Sequence, residues 1–105
     1  MSRGDPQAKR VFSYTEAAAL LPEVRRLTED VCRQVEALGP EPGRQADALI
    51  TEWAEALVAR GLEVKGLWLV DFDNGSGYYC WQYPEPSLRY FHSYEDGFQG
   101  RMPIQ

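Results

Sequence analysis

The composition of this chain changes character at Gly61. All ten alanines precede it, whereas ten of the thirteen aromatic residues fall between Trp68 and Phe98. Alanine is the strongest helix former, and aromatic side chains fit the pleated surface of a sheet. A helical front half followed by a strand-rich back half is an α+β order, not the alternation that builds a parallel sheet. With 105 residues and 44% hydrophobic content there is material for one core. The chain therefore reads as a single α+β domain over residues 12–105, preceded by a flexible N-terminal segment over 1–11.

In the front half, Ser13 followed three residues later by Glu16 forms a capping box. Beyond it Leu20, Val24, Leu27, Val31, Val35 and Leu38 recur every three or four residues, so the spacing predicts a helix over 14–38. Pro22 predicts a kink, or a short turn feeding the main helix. The opposite face carries mixed charges, with Glu29 and Arg33 in the favourable i,i+4 order. Gly39-Pro40-Glu41-Pro42-Gly43 breaks the helix. A second stripe, Ala46, Leu49, Ile50, Trp53, Leu57 and Val58, predicts a helix over 44–60 with Gly61 as its C′ residue. A short connection makes the two helices antiparallel neighbours. Their apolar stripes are too thin to order such a hairpin alone, so it must pack on the β half or on a second copy of the chain.

After Gly61 the hydrophobic period changes from 3.6 to 2. Strands are expected over Leu67–Phe72, Tyr78–Tyr83 and Leu88–Tyr94, with Leu62–Lys65 as a short edge, giving a three- to four-stranded antiparallel meander. Asp73-Asn74-Gly75-Ser76-Gly77 closes the first hairpin, and Pro84 and Pro86 must leave the ladder. The register of the second hairpin has two solutions. If four residues form its loop, Tyr83 faces Leu88 and His92 lies beside Tyr79, on the face opposite Cys80. A slip of one residue brings Cys80 and His92 together. The Tyr78–Tyr83 segment is apolar on both faces, so one face should meet the helices and the other the C-terminal tail or a subunit interface.

Composition also removes several function classes. A net charge of −5 opposes binding to a phosphate backbone, so no nucleic-acid partner is expected. No apolar run approaches the roughly 20 residues that span a bilayer, so no membrane association is expected. Arg3, Lys9 and Arg10 are not followed by an apolar stretch of the kind a secretory leader needs. With only Cys32 and Cys80, far apart in sequence, the expectation is a cytoplasmic protein with free thiols.

The polar residues able to carry chemistry gather in the β half. His92 is the only histidine, which excludes any two-histidine metal site within one chain. Alone, it reads as a strand residue packed among Tyr79, Tyr90 and Tyr94 with one hydrogen bond. Cys80, mid-strand among aromatics, reads as a small buried apolar group; a nucleophilic role needs a base beside it and an electropositive setting. Glu95-Asp96-Gly97 is turn material. Arg101 offers a guanidinium fork for a carboxylate or phosphate, or pairs with Glu85 or Glu95. Gly75-Ser76-Gly77 lacks the lysine and the following helix of a phosphate loop.

Phe12-Ser13, Ala17, Leu20-Leu21-Pro22-Glu23-Val24, Val70-Asp71-Phe72, Cys80-Trp81, Glu85-Pro86, His92, Gly97-Phe98, Gly100-Arg101 and Pro103 together resemble a small bacterial family catalogued as domain of unknown function 2203. Relatives often read Trp before the histidine and an acid after it, where this chain has Phe91 and Ser93. The resemblance implies a bacterial cytosolic protein and supplies no established activity, substrate or catalytic residue.

Two functional expectations follow. The first is a small cytosolic, non-catalytic binding or oligomerisation protein, a homodimer that also presents its aromatic β half to a protein partner. The rival is a small-ligand or metal-binding protein, with hydrolysis open to it. Its ligand site would draw on His92, Arg101, Glu85, Glu95 and Asp71, and a divalent metal would be held by His92, Cys80 and Glu95.

Overall fold

The computed structural model describes residues 10–41 and 43–104. Ser13 caps α1 (Tyr14–Ala37): its hydroxyl accepts from the Glu16 amide at 3.0 Å, and the Glu16 carboxylate accepts from the Ser13 amide at 2.9 Å. The helix runs unbroken through Pro22, which is exposed, so the short feeding turn is not formed. On the solvent side a carbonyl deprived of its donor can turn to water. Glu29 pairs with Arg25 at 3.3 Å and Arg33 with Asp30, in place of the expected Glu29–Arg33 pair.

The second helix, α2 (Gly43–Ala59), ends at Gly61, whose φ of +88° suits the left-handed C′ position. Its amide bonds to the Val58 carbonyl and that of Leu62 to Leu57, a Schellman closure. Glu23 meets Arg60 at 2.6 Å and Thr28 accepts from the Trp53 indole at 2.9 Å. One helix therefore advances as the other retreats, and the pair is antiparallel.

Five strands follow: β1 (Glu63–Gly66), β2 (Leu69–Asp73), β3 (Gly77–Gln82), β4 (Tyr90–Ser93) and β5 (Met102–Pro103). They form one antiparallel sheet in sequence order. β2 starts two residues later than expected, because Leu67 and Trp68 make the turn and Trp68 adopts φ +62°. The fifth strand comes from the tail: after a short 3-10 turn (Phe98–Gly100), β5 pairs with β4, and the Ile104 amide bonds to the Arg89 carbonyl at 2.7 Å.

Strand alternation divides the sheet into two faces. Val70, Phe72 and Trp81 point to the helices and join Phe12, Val24, Leu57 and Leu88 in one buried cluster. The cover that the hairpin requires is thus supplied by the chain's own sheet. The segment expected to be flexible falls mostly outside the described residues. Of its end, Arg10 lies 4.3 Å over the Phe12 ring and donates to the Arg60 carbonyl, while the Phe12 amide bonds to Asp73.

Candidate metal centre

The face of the sheet turned away from the helices carries the polar side chains. β2 and β3 pair Asp71 with Cys80, and β3 and β4 pair Tyr78 with His92 and Cys80 with Tyr90. Of the two registers open to the second hairpin, this is the slipped one, and it puts Asp71, Cys80 and His92 on the same face. The connection from β3 to β4 folds back on the strand it leaves. The Trp81 indole donates to the Glu85 carbonyl, and the Gln82 amide to the Glu85 carboxylate, both at 2.8 Å. The loop that fixes the register is therefore longer than four residues. Gly77 permits the approach of β4, since a Cβ there would stand 2.5 Å from the His92 carbonyl oxygen.

One donor atom from each of Asp71, Cys80 and His92 lies within 4.8 Å of the other two. All three residues are buried, at 1%, 0% and 3% exposure. His92 has two polar partners in place of the one expected, and its ring lies 5.4 Å from that of Tyr78. Nδ1 lies 2.8 Å from the Ser93 carbonyl, and Nε2 lies 3.0 Å from Asp71 Oδ2. A carbonyl only accepts, so Nδ1 carries a proton and the neutral ring would present a bare lone pair at Nε2. Two lone pairs cannot face each other at 3.0 Å. The space between Nε2 and the carboxylate suits a cation, either a proton or a metal ion.

Asp71 supplies a second sign of an incomplete site. Its Oδ2 accepts from His92 and from Lys65 Nζ at 3.2 Å, while its Oδ1, equally buried, has no hydrogen-bond partner among the described residues. Buried carboxylate oxygens rarely go without one. The Cys80 thiol interacts with this carboxylate by charge and by a side-chain hydrogen bond. Burial first, and the Asp71 charge second, push that thiol up to about 12, with Arg101 pulling in the opposite direction. A thiol held protonated in this way is not a nucleophile at neutral pH.

Arg101 is clamped between the rings of Tyr90 and Phe98, at 4.0 and 4.1 Å, and pairs with Glu85 at 2.8 Å. Of the two acids expected for it, Glu85 is the partner. Glu95 is exposed and lies outside the cluster, so it is replaced by Asp71 among the metal-ligand candidates. It follows β4 in a turn, where Ser93 Oγ accepts from the Asp96 amide at 3.1 Å. A groove of about 660 Å³ lies elsewhere, between Tyr14, Leu88, Tyr90 and Ile104, and none of the three donor residues lines it.

Lys65 and Glu63 were not among the expected site residues. Period-2 alternation along β1 places both on the face of Asp71, which sits opposite Glu63; that spacing was the available signal. Burial alone would lower the Lys65 ammonium, but the hydrogen bond and charge of Asp71, then Tyr78 and Glu63, outweigh it and raise it.

No curated protein and no solved structure matches the chain. A family model described as an uncharacterized conserved protein (DUF2203) matches residues 38–104, a range that spans the whole sheet and all three donors. By that match over more than half its length, the chain belongs to the DUF2203 family.

Proposed function

We propose that this chain is a small metal-ion-binding protein whose site is Asp71, Cys80 and His92. The observation that carries this is that Oδ1 of a fully buried Asp71, set beside a thiol and an imidazole, has no hydrogen-bond partner among the described residues. A ligating histidine typically donates its other ring N–H to a carbonyl or carboxylate, as His92 Nδ1 does to Ser93. A sulfur, a nitrogen and an oxygen donor suit zinc and its neighbours, not magnesium or calcium, which prefer oxygen alone. Three protein ligands leave one coordination position for water or an exogenous group. Free, buried Cys32 and Cys80 fit a reducing compartment such as a bacterial cytoplasm.

Elemental analysis of the full-length protein, with melting curves before and after chelator, tests this. One equivalent of zinc is expected. At a hundredfold excess over Kd, mass action gives about 2.7 kcal/mol, a melting shift on the order of 10 °C. An unmoved melting temperature and no retained metal would overturn the proposal.

A second reading, self-association through the outer β surface, is favoured by Tyr94 and Phe98, each more than 40% exposed. Light scattering decides it. A dimer gives twice the 12.0 kDa chain mass, and a clean monomer at micromolar concentration removes it.

A further inference from the structure

The cluster already contains a cation. Resting on the metal-site reading above, we propose that Lys65 is a displaceable internal cation that closes the site. Its ammonium neutralises Asp71 until a divalent ion takes over that charge, and it then withdraws toward solvent.

Geometry supports the exchange. Lys65 Nζ lies 3.2 Å from Asp71 Oδ2, 3.5 Å from Glu63 Oε1 and 3.9 Å from the centroid of the Tyr78 ring. The Lys65 side chain is 36% exposed while that of Asp71 is 1% exposed, so Lys65 forms the accessible side of an otherwise buried cluster. Leaving Asp71 does not strand the ammonium, because Glu63 and the Tyr78 ring are within reach on the way out. Glu63 is itself fixed by the Tyr78 hydroxyl, which donates to Oε1 at 3.0 Å.

The charge balance points the same way. Lys65 is the cation that lies against both the Asp71 and Glu63 carboxylates. A divalent ion on Asp71 takes over the first of these pairings and leaves Lys65 paired to Glu63. An ammonium still hydrogen-bonded to Asp71 would instead lie a few ångströms from a dication, with little water between to screen the repulsion.

Lys65→Met and Lys65→Arg, made in the full chain, test this by competition for zinc against a chromophoric chelator. Lys65→Met is expected to bind zinc at least tenfold more tightly than the wild type, while Lys65→Arg stays near wild type. The zinc-free Lys65→Met protein should melt lower, having lost the compensation of a buried carboxylate. Should it fail to fold without metal, Lys65→Gln refolded with zinc gives the same comparison. Equal or weaker zinc binding by the neutral variants overturns the proposal and makes Lys65 a support of Asp71. If the wild type takes up no zinc but Lys65→Met does, the ammonium is a fixed block and not a displaceable cation, and the proposal is overturned. If neither does, the metal site and its gate both fall.

Discussion

Loading zinc at Asp71, Cys80 and His92 must expel the thiol proton of Cys80, held up to about 12 and hence fully present at neutral pH. Metal ligands bind deprotonated, so this proton alone makes the apparent affinity rise about tenfold between pH 6 and 7, tighter at the higher pH. Calorimetric titration of zinc into the chelator-treated protein, repeated in buffers of differing ionisation enthalpy, counts the protons directly. We expect Cys80→Ser to release about one proton fewer than the wild type, with correspondingly weaker binding. An affinity flat across pH 6–8, with no proton released, would show that zinc does not sit on the thiol.

Three further outcomes are expected. In the metal-free protein the Cys80 thiol ionises near its ordinary 9.0 when unfolded but only near about 12 when folded. The unfolded state therefore binds fewer protons above pH 9, stability falls with rising pH, and by pH 10 this thiol alone has raised the unfolding constant about tenfold; urea titrations should show that slope in the wild type and a shallower one in Cys80→Ala, where the Cys32 thiol, also pushed up by burial, still contributes. Gly77→Ala drives a Cβ to 2.5 Å from the His92 carbonyl, so β4 must shift. It should cost about 1–3 kcal/mol in urea unfolding and loosen zinc binding at least tenfold, and wild-type values for both would refute the role given to that glycine. Arg101→Ala removes both the pair with part-buried Glu85 and the stacking on Tyr90 and Phe98. A loss of about 1–3 kcal/mol is expected with faster hydrogen exchange of the Ile104 amide, and unchanged exchange would mean that the tail is held by other contacts.

Local chemistry made much of the front half legible. The Ser13–Glu16 box and the glycines after each helix are short-range signals, and the structure places both helix ends within a residue of the expected ones. Pro22 does not split off a separate turn, because its cost depends on exposure, which only the packed helix reveals. The β half was readable as a meander, yet its decisive feature was not. Register is chosen by which face is apolar, and β3 carries Tyr78 and Cys80 on one face against Tyr79 and Trp81 on the other. With grease on both sides, hydropathy could not select between the two pairings. The loop contacts from Glu85 to Trp81 and Gln82 do so, and they are tertiary. The same blindness hid the site: His92 looked like a packed ring in one register and a ligand in the other. Asp71 was visible as a polar interruption in Val70-Asp71-Phe72, whereas Glu95 looked equally suitable until its turn carried it into solvent.

The most direct test of the proposed site is a cobalt(II) titration of the chelator-treated, full-length protein followed by absorption. Binding as proposed gives one equivalent, intense visible bands of a four-coordinate ion, and a near-ultraviolet thiolate-to-cobalt band that disappears in Cys80→Ser. The weak spectrum of hydrated cobalt, unchanged by the protein at equimolar and higher ratios, would contradict it.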